Sequence, residues 1–190
     1  SIFGQDGQSS QLVERMLSNL TARYPEARVV HRNLAETPVP HLDADRFGAF
    51  VAPSVERSSS QQAVVSYSDT LIDEIRETDA IVLGVPMYNF GIPSALKAYF
   101  EHIARSGVTF RYTENGPVGL LEDRPVYVLA ARGGIYAGSD TQTPYIRTFL
   151  GFLGIRDVTF VYAEGLNMGD DRKQTALAQA ASRIDELTAA

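Results

Sequence analysis

The chain has 190 residues, 44% hydrophobic and 21% charged, with a formal net charge of −6 and no cysteine. That length and apolar content suit one folded domain spanning 1–190, and an acidic chain without basic runs argues against nucleic-acid binding. The lack of cysteine excludes disulfides, thiolate catalysis and most structural zinc sites, while no apolar run is long enough for a bilayer, so the expectation is a cytoplasmic protein without a membrane partner.

Ser1, Ile2, Phe3 and Gly4 read as the exit of a strand, so one more apolar strand is expected upstream of Ser1. Ser9 and Ser10 are N-cap candidates, and Leu12, Val13, Met16, Leu17 and Leu20 then recur at helical spacing. Residues 27–33, around Val29 and Val30, read as a strand. A proline-rich connection with a short helix near 45–50 follows, then an amphipathic helix over 61–78 facing inward through Val64, Tyr67, Leu71, Ile72 and Ile75. The run 80–85 is continuously apolar and β-branched, as a buried parallel strand should be. Pro93 opens a helix at its first turn.

Residues 106–123 form a long connection around Asn115-Gly116, a hairpin-type turn. Strand 126–131 runs into Arg132-Gly133-Gly134. Thr143-Pro144 starts a helix closed by Gly154, 158–162 is a strand, and Asp170 and Asp171 precede a final helix. Alternating strands and helices predict an α/β fold, with a doubly wound parallel sheet of five strands covered by helices on both faces. Four of the five lie within this chain.

Three loops converge at the carboxyl ends of these strands, the rim where open α/β sheets bind ligands. The first holds Ser1, Gly7, Gln8 and Ser9 ahead of a helix start, where free N–H groups and the dipole favour an anion. An ordinary serine cap on a glycine turn accounts for it as well. The second holds Met87, Tyr88, Asn89 and Phe90, aromatics with one amide, suited to a flat ligand with a hydrogen-bonding edge or to a hydrophobic lid. The third holds Ala131, Arg132, Gly133 and Gly134, whose glycines offer bare N–H groups or make a plain turn. Together a phosphate end, a ring platform and a glycine edge describe FMN. No Walker lysine and no G-x-G-x-x-G occurs. His31, His41 and His102 have no metal-ligand spacing, so no metal is expected.

Met87-Tyr88-Asn89-Phe90, the segment 107–117, Arg132-Gly133-Gly134 and Phe149-Leu150-Gly151-Phe152 resemble the FMN-dependent NADH-azoreductases, flavodoxin-like homodimeric reductases of quinones and azo compounds. The family often has serine where this chain has Gly7 and Ala131. The resemblance implies that Ser1, Gly7, Gln8 and Ser9 hold the phosphate and ribityl end of FMN. Met87, Tyr88, Asn89 and Phe90 would hold the isoalloxazine, with Ala131, Arg132, Gly133 and Gly134 on its other edge. It implies Tyr112 and Phe152 as aromatic walls of the substrate pocket, reaching it across a homodimer interface, although core packing explains Phe152 equally. The implied reaction is ping-pong, with NADH or NADPH giving a hydride to the flavin and a quinone or azo compound then taking two electrons. No catalytic side chain is required, because the flavin carries the chemistry. A flavodoxin-like electron carrier without its own substrate is the alternative; the long 106–123 connection, shaped like a pocket or dimer wall, argues against it.

Overall fold

The computed structural model describes residues 1–189. Helix α1 (Gln8–Arg23) is followed by α2 (Ala44–Val51), α3 (Ser59–Arg76), strand β1 (Ile81–Pro86) and α4 (Ser94–Ile103). Then come the hairpin strands β2 (Phe110–Thr113) and β3 (Gly116–Gly119), strand β4 (Val126–Ala131), α5 (Gln142–Leu153), β5 (Val158–Ala163) and α6 (Asp170–Ala189). Strands β1, β4 and β5 form a parallel sheet in the order β1-β4-β5, with Ile81 opposite Val126 and Val126 opposite Val158.

The layers follow from side-chain alternation along β4. Val128 points into a core made with Leu71 and Ile72 of α3, Phe100 and Ile103 of α4 and Ile146 and Leu150 of α5. Leu129 points the other way, into a core with Leu12 and Met16 of α1 and Ile184 of α6. Met16, Leu129 and Ile184 are fully buried, and each such side chain contributes roughly 1.5–3 kcal/mol by leaving water.

Sequence signals set most element ends. Ser58 and Gln61 close a capping box at the start of α3, and Asp43 accepts the Arg46 N–H at 2.8 Å to cap α2. Gly154 stops α5 at φ 111°, a left-handed value that a side chain would disfavour. The cap of α1, however, is Gly7; Ser9 and Ser10 lie inside its first turn. Pro93 is likewise the cap of α4, one position before the expected first turn.

The sheet differs from the expected five strands. Residues 27–33 run outside any strand, with Val29 46% and Val30 56% exposed. Their β-branched pattern is that of a strand, but a strand needs a neighbour to take its backbone groups, and among the described residues none lies beside them. An open channel separates them from β1, which is therefore an edge strand.

Candidate functional site

The rim is assembled from loops that hold one another. Behind the first loop, Gly7 is buried, and a Cβ there would sit 2.2 Å from the Ser1 hydroxyl oxygen, so only glycine lets the chain fold back on itself. Ser1 Oγ lies 3.4 Å from the Tyr88 hydroxyl, and the Ile2 N–H donates to that hydroxyl at 3.1 Å. The first loop therefore rests on the second. Ser9 is 1% exposed, and among the described residues its hydroxyl and the buried Gln8 Oε1 have no hydrogen-bond partner. Unpartnered buried polar atoms at a helix N-terminus are costly unless a ligand completes them.

The second loop is a two-residue reversal. Tyr88 and Gly91 exchange N–H to C=O bonds of 3.1 and 3.0 Å, and Asn89 and Phe90 between them have φ of 47° and 66°. Asn tolerates this left-handed region; Phe does so only at a cost of about 1–2 kcal/mol. Asn89 is exposed. Phe90 is 68% exposed, a strained aromatic presented to solvent at the rim. The Thr141 hydroxyl donates to the Phe90 carbonyl, and the Phe90 ring meets Tyr136 edge-on at 6.5 Å.

The third loop is zipped to residues 165–167. The carbonyls of Arg132, Gly133 and Gly134 accept from Leu166, Asn167 and Gly165 at 3.1, 3.1 and 2.9 Å. Among the described residues, nothing accepts from the N–H groups of Gly133 and Gly134. A Cβ on Gly133 would meet the Asn167 side chain at 2.5 Å.

Arg132 lies in the third loop with its side chain turned inward. Its side chain is 1% exposed and is spent within the protein, so it is not free to meet a cofactor edge. It pairs with Asp140 at 2.8 Å and Glu164 at 2.9 Å and donates to Gln142 Oε1 at 3.1 Å. Gln142 in turn donates through Nε2 to the carbonyls of Pro86 and Gly91, both at 3.0 Å. Glu164 accepts the N–H groups of Tyr136 and Ala137 at 3.3 Å. The guanidinium thus clamps the loops after β1, β4 and β5 into one frame. Burial works to raise the Asp140 carboxyl, but the Thr143 backbone and hydroxyl and the Arg132 charge outweigh it and hold it below the ordinary carboxylate value.

Tyr112 and Phe152 do not join this rim. Phe152 follows Gln142 by ten positions on α5, about 15 Å along the axis, and packs on Phe110 at 4.3 Å. Tyr112 is 71% exposed, and its ring meets that of Phe110 edge-on with centroids 5.6 Å apart.

A family model described as flavodoxin-like fold matches residues 1–188. Among curated proteins, an FMN-dependent NADH:quinone oxidoreductase of Alcanivorax borkumensis is 58% identical over 186 residues, 97% of this chain and 94% of the relative. The chain belongs to the FMN-dependent NADH:quinone oxidoreductases, a flavodoxin-like family. An oxidoreductase of the same description from Cellvibrio japonicus is 57% identical over 192 residues, covering 100% of this chain and 96% of its own. Among solved structures, an FMN-dependent NADH-azoreductase from Bacillus anthracis str. Ames Ancestor, in complex with FMN, superposes with a TM-score of 0.83 at 28% identity, covering 97% of this chain and 91% of that one. An azoreductase from Bacillus anthracis str. Sterne gives a TM-score of 0.88 at 26% identity, with 97% and 92% covered.

Asp140, Gln142 and Glu164, the partners of Arg132, escaped the sequence reading. One signal was available: Asp140 stands three residues before Thr143, and its carboxylate accepts the Thr143 N–H at 2.7 Å, the spacing of a helix cap.

Proposed function

We infer that this protein is an FMN-dependent NADH:quinone oxidoreductase that also accepts azo compounds. The observation that supports the reading is the rim itself, where buried polar atoms without protein partners at the start of α1, free glycine N–H groups after β4 and exposed aromatics after β1 sit on loops that bond to one another. Those residues fit FMN. Ser9, Gln8 and the N-terminus of α1, with Ser1 and Gly7 behind them, would hold the phosphate and ribityl end. The N–H groups of Gly133 and Gly134, beside Ala131, would meet the polar edge of the ring. Met87, Tyr88, Asn89 and Phe90 would form the wall against its face. Bound there, FMN supplies the two-electron redox chemistry between NADH and the acceptor.

The chain's own contribution is position and exclusion of water. Arg132 acts as a positioning residue, because its ion pairs and the Gln142 relay fix the glycine edge relative to the aromatic wall. The raised Phe90 ring offers an apolar surface on which a planar substrate can stack. Exposed Tyr112 on the β2–β3 hairpin, beside Phe110 on the same face, is an apolar patch outside the chain's own rim. In a homodimer this patch, with Phe152 behind it, would reach the substrate region of the second copy, the arrangement that gives Tyr112 a pocket role.

The test is a preparation reconstituted with FMN. NADH should be consumed only when menadione or an azo dye is added, and the flavin absorption should survive desalting. Protein that retains no flavin and oxidises no NADH under these conditions would overturn the reading.

A further inference from the structure

Strand β5 is an outer strand of the parallel sheet, paired with β4 on one side only. The ladder shows which of its groups face away. The carbonyls of Asp157 and Ala163 accept from the N–H groups of Val126 and Arg132, both at 2.8 Å, so odd-numbered positions of β5 face β4 and even-numbered ones face out. Among the described residues, the N–H and C=O groups of Phe160 and Tyr162 have no partner. The Val158 N–H is spent on the Arg156 carbonyl at 2.9 Å, and the Val158 C=O faces out with the others. The strand reads Val-Thr-Phe-Val-Tyr-Ala, six residues without a charge, a proline or a glycine. Edge strands are ordinarily blunted by charge, proline, a bulge or a covering element; this one has the composition of a strand that pairs.

The two ends of this edge differ in charge. A surface groove opens beside its C-terminal half, with Ile135, Tyr162 and Met168 as exposed apolar lining. Glu164, Asp170 and Asp171 make the same groove acidic, and Arg172 is the one cation in its wall. Before the strand stands Arg156, exposed, on the face of the sheet that Phe160 and Glu164 share. Asp157 alternates to the opposite face, the one packed on α6.

We propose that β5 is a pairing edge for a second copy of this chain, the two β5 strands running antiparallel about a twofold axis at Phe160. Charge complementarity selects both the occupant and the register. Pairing about Phe160 sets Arg156 of each copy opposite Glu164 of the other, at the groove that Asp170 and Asp171 line, and brings Asp157 to the α6 side, where Arg172 stands. Pairing one step along, about Val161, would set Val158 against Glu164 and Arg156 against Leu166, and the match would be lost. In the Phe160 register the two Phe160 residues exchange N–H to C=O bonds, and each Tyr162 N–H donates to the Val158 carbonyl of the other copy. The Val158 N–H, already spent within its own chain, is the ladder donor left out. Apolar side chains then lie side by side across the axis, Phe160 with Phe160 and Val158 with Tyr162. An edge pair of six residues buries less than the roughly 1,200–2,000 Å² of stable complexes, so the association is reversible and depends on concentration. It uses none of the hairpin residues around Tyr112 and does not depend on the flavin reading.

The experiment follows sedimentation and amide exchange of the 190-residue protein over a wide range of concentration. Its mass should double as concentration rises, and exchange at the Phe160 and Tyr162 amides should slow by about tenfold or more in step. Thr159 and Val161, whose N–H groups are already held by β4, should not change. Arg156→Glu, which sets like charges against each other at both ends, should abolish the doubling and leave Phe160 and Tyr162 fast. Adding Asp170→Arg and Asp171→Arg to that variant should restore both. Phe160→Lys, which places a charge on the axis, should abolish both again. Fast exchange at Phe160 and Tyr162 at every concentration would overturn the proposal. So would doubling that leaves these two amides fast, which would put the contact on another face. So would slow exchange without doubling, which would make something other than a second copy the cover. Arg156→Glu pairing as well as the parent would overturn it too.

Discussion

Replacing Arg132 with Met tests the clamp that holds the rim. Met fills most of the volume but removes every charge-assisted hydrogen bond. Asp140, whose side chain is 0% exposed, and Glu164, at 18%, would then be left as buried carboxylates without their counter-ion. Breaking one partner out of a buried ionic cluster costs about 3–5 kcal/mol. In a chain of this size each kcal/mol moves the thermal midpoint by about 2–4 °C, so the flavin-free variant should melt roughly 6–20 °C lower. The Gln142 relay to Pro86 and Gly91 should loosen with it, and FMN affinity should fall by at least about tenfold, or 1.4 kcal/mol. Differential scanning calorimetry and flavin fluorescence titration measure the two effects separately. Adding Asp140→Leu and Glu164→Gln to the variant should recover part of the midpoint, because the unpaired charges are gone. A single variant within about 2 °C of the parent, binding FMN as tightly, would refute the clamp.

Phe90→Ala should change stability by less than about 0.5 kcal/mol, since the ring is 68% exposed, yet weaken FMN binding several-fold; chemical denaturation beside a flavin titration checks both. Gly133→Ala should weaken FMN binding through the 2.5 Å approach of its Cβ to Asn167, and Asn167→Ala in the same chain should restore it, as paired titrations would show. Stability should fall in acid in two stages. Burial lowers His102 below its ordinary 6.5, against the Ala98 carbonyl bond that raises it, so the unfolded chain takes up this proton first and stability declines once pH drops below about 6.5. Asp140, held below its ordinary 3.8, contributes stability that is complete above that value and is lost as pH falls below it. Thermal midpoints of parent, His102→Gln and Asp140→Asn between pH 8 and 3 should show each stage shrink in its own variant.

The parts of the fold legible in the sequence are those set by local chemistry. The apolar run into Pro86, the Asn115-Gly116 turn and Gly154 after α5 each carry their instruction within a few residues. Residues 27–33 were misread because a β-branched run specifies a strand only when another strand lies beside it. Asn89 was legible as a rim residue, but not its reason: it stands there because the turn needs a left-handed residue, and its side chain faces solvent. Arg132 was legible as part of the third loop, whereas its true partners lie 8, 10 and 32 positions away and come together only when the three strand ends meet. Phe152 shows the converse limit, since its helical position fits a pocket wall and a core contact alike, and within one chain the contact with Phe110 is what forms.

Hydrogen exchange on the protein with and without saturating FMN probes the rim most directly. Slowed exchange is expected at Ser9, at Tyr88, Asn89 and Phe90, and most strongly at the free N–H groups of Gly133 and Gly134. Unchanged exchange at those two glycines, with new protection instead along the surface groove beside Tyr162 and Arg172, would mean that the flavin is held somewhere other than the three-loop rim.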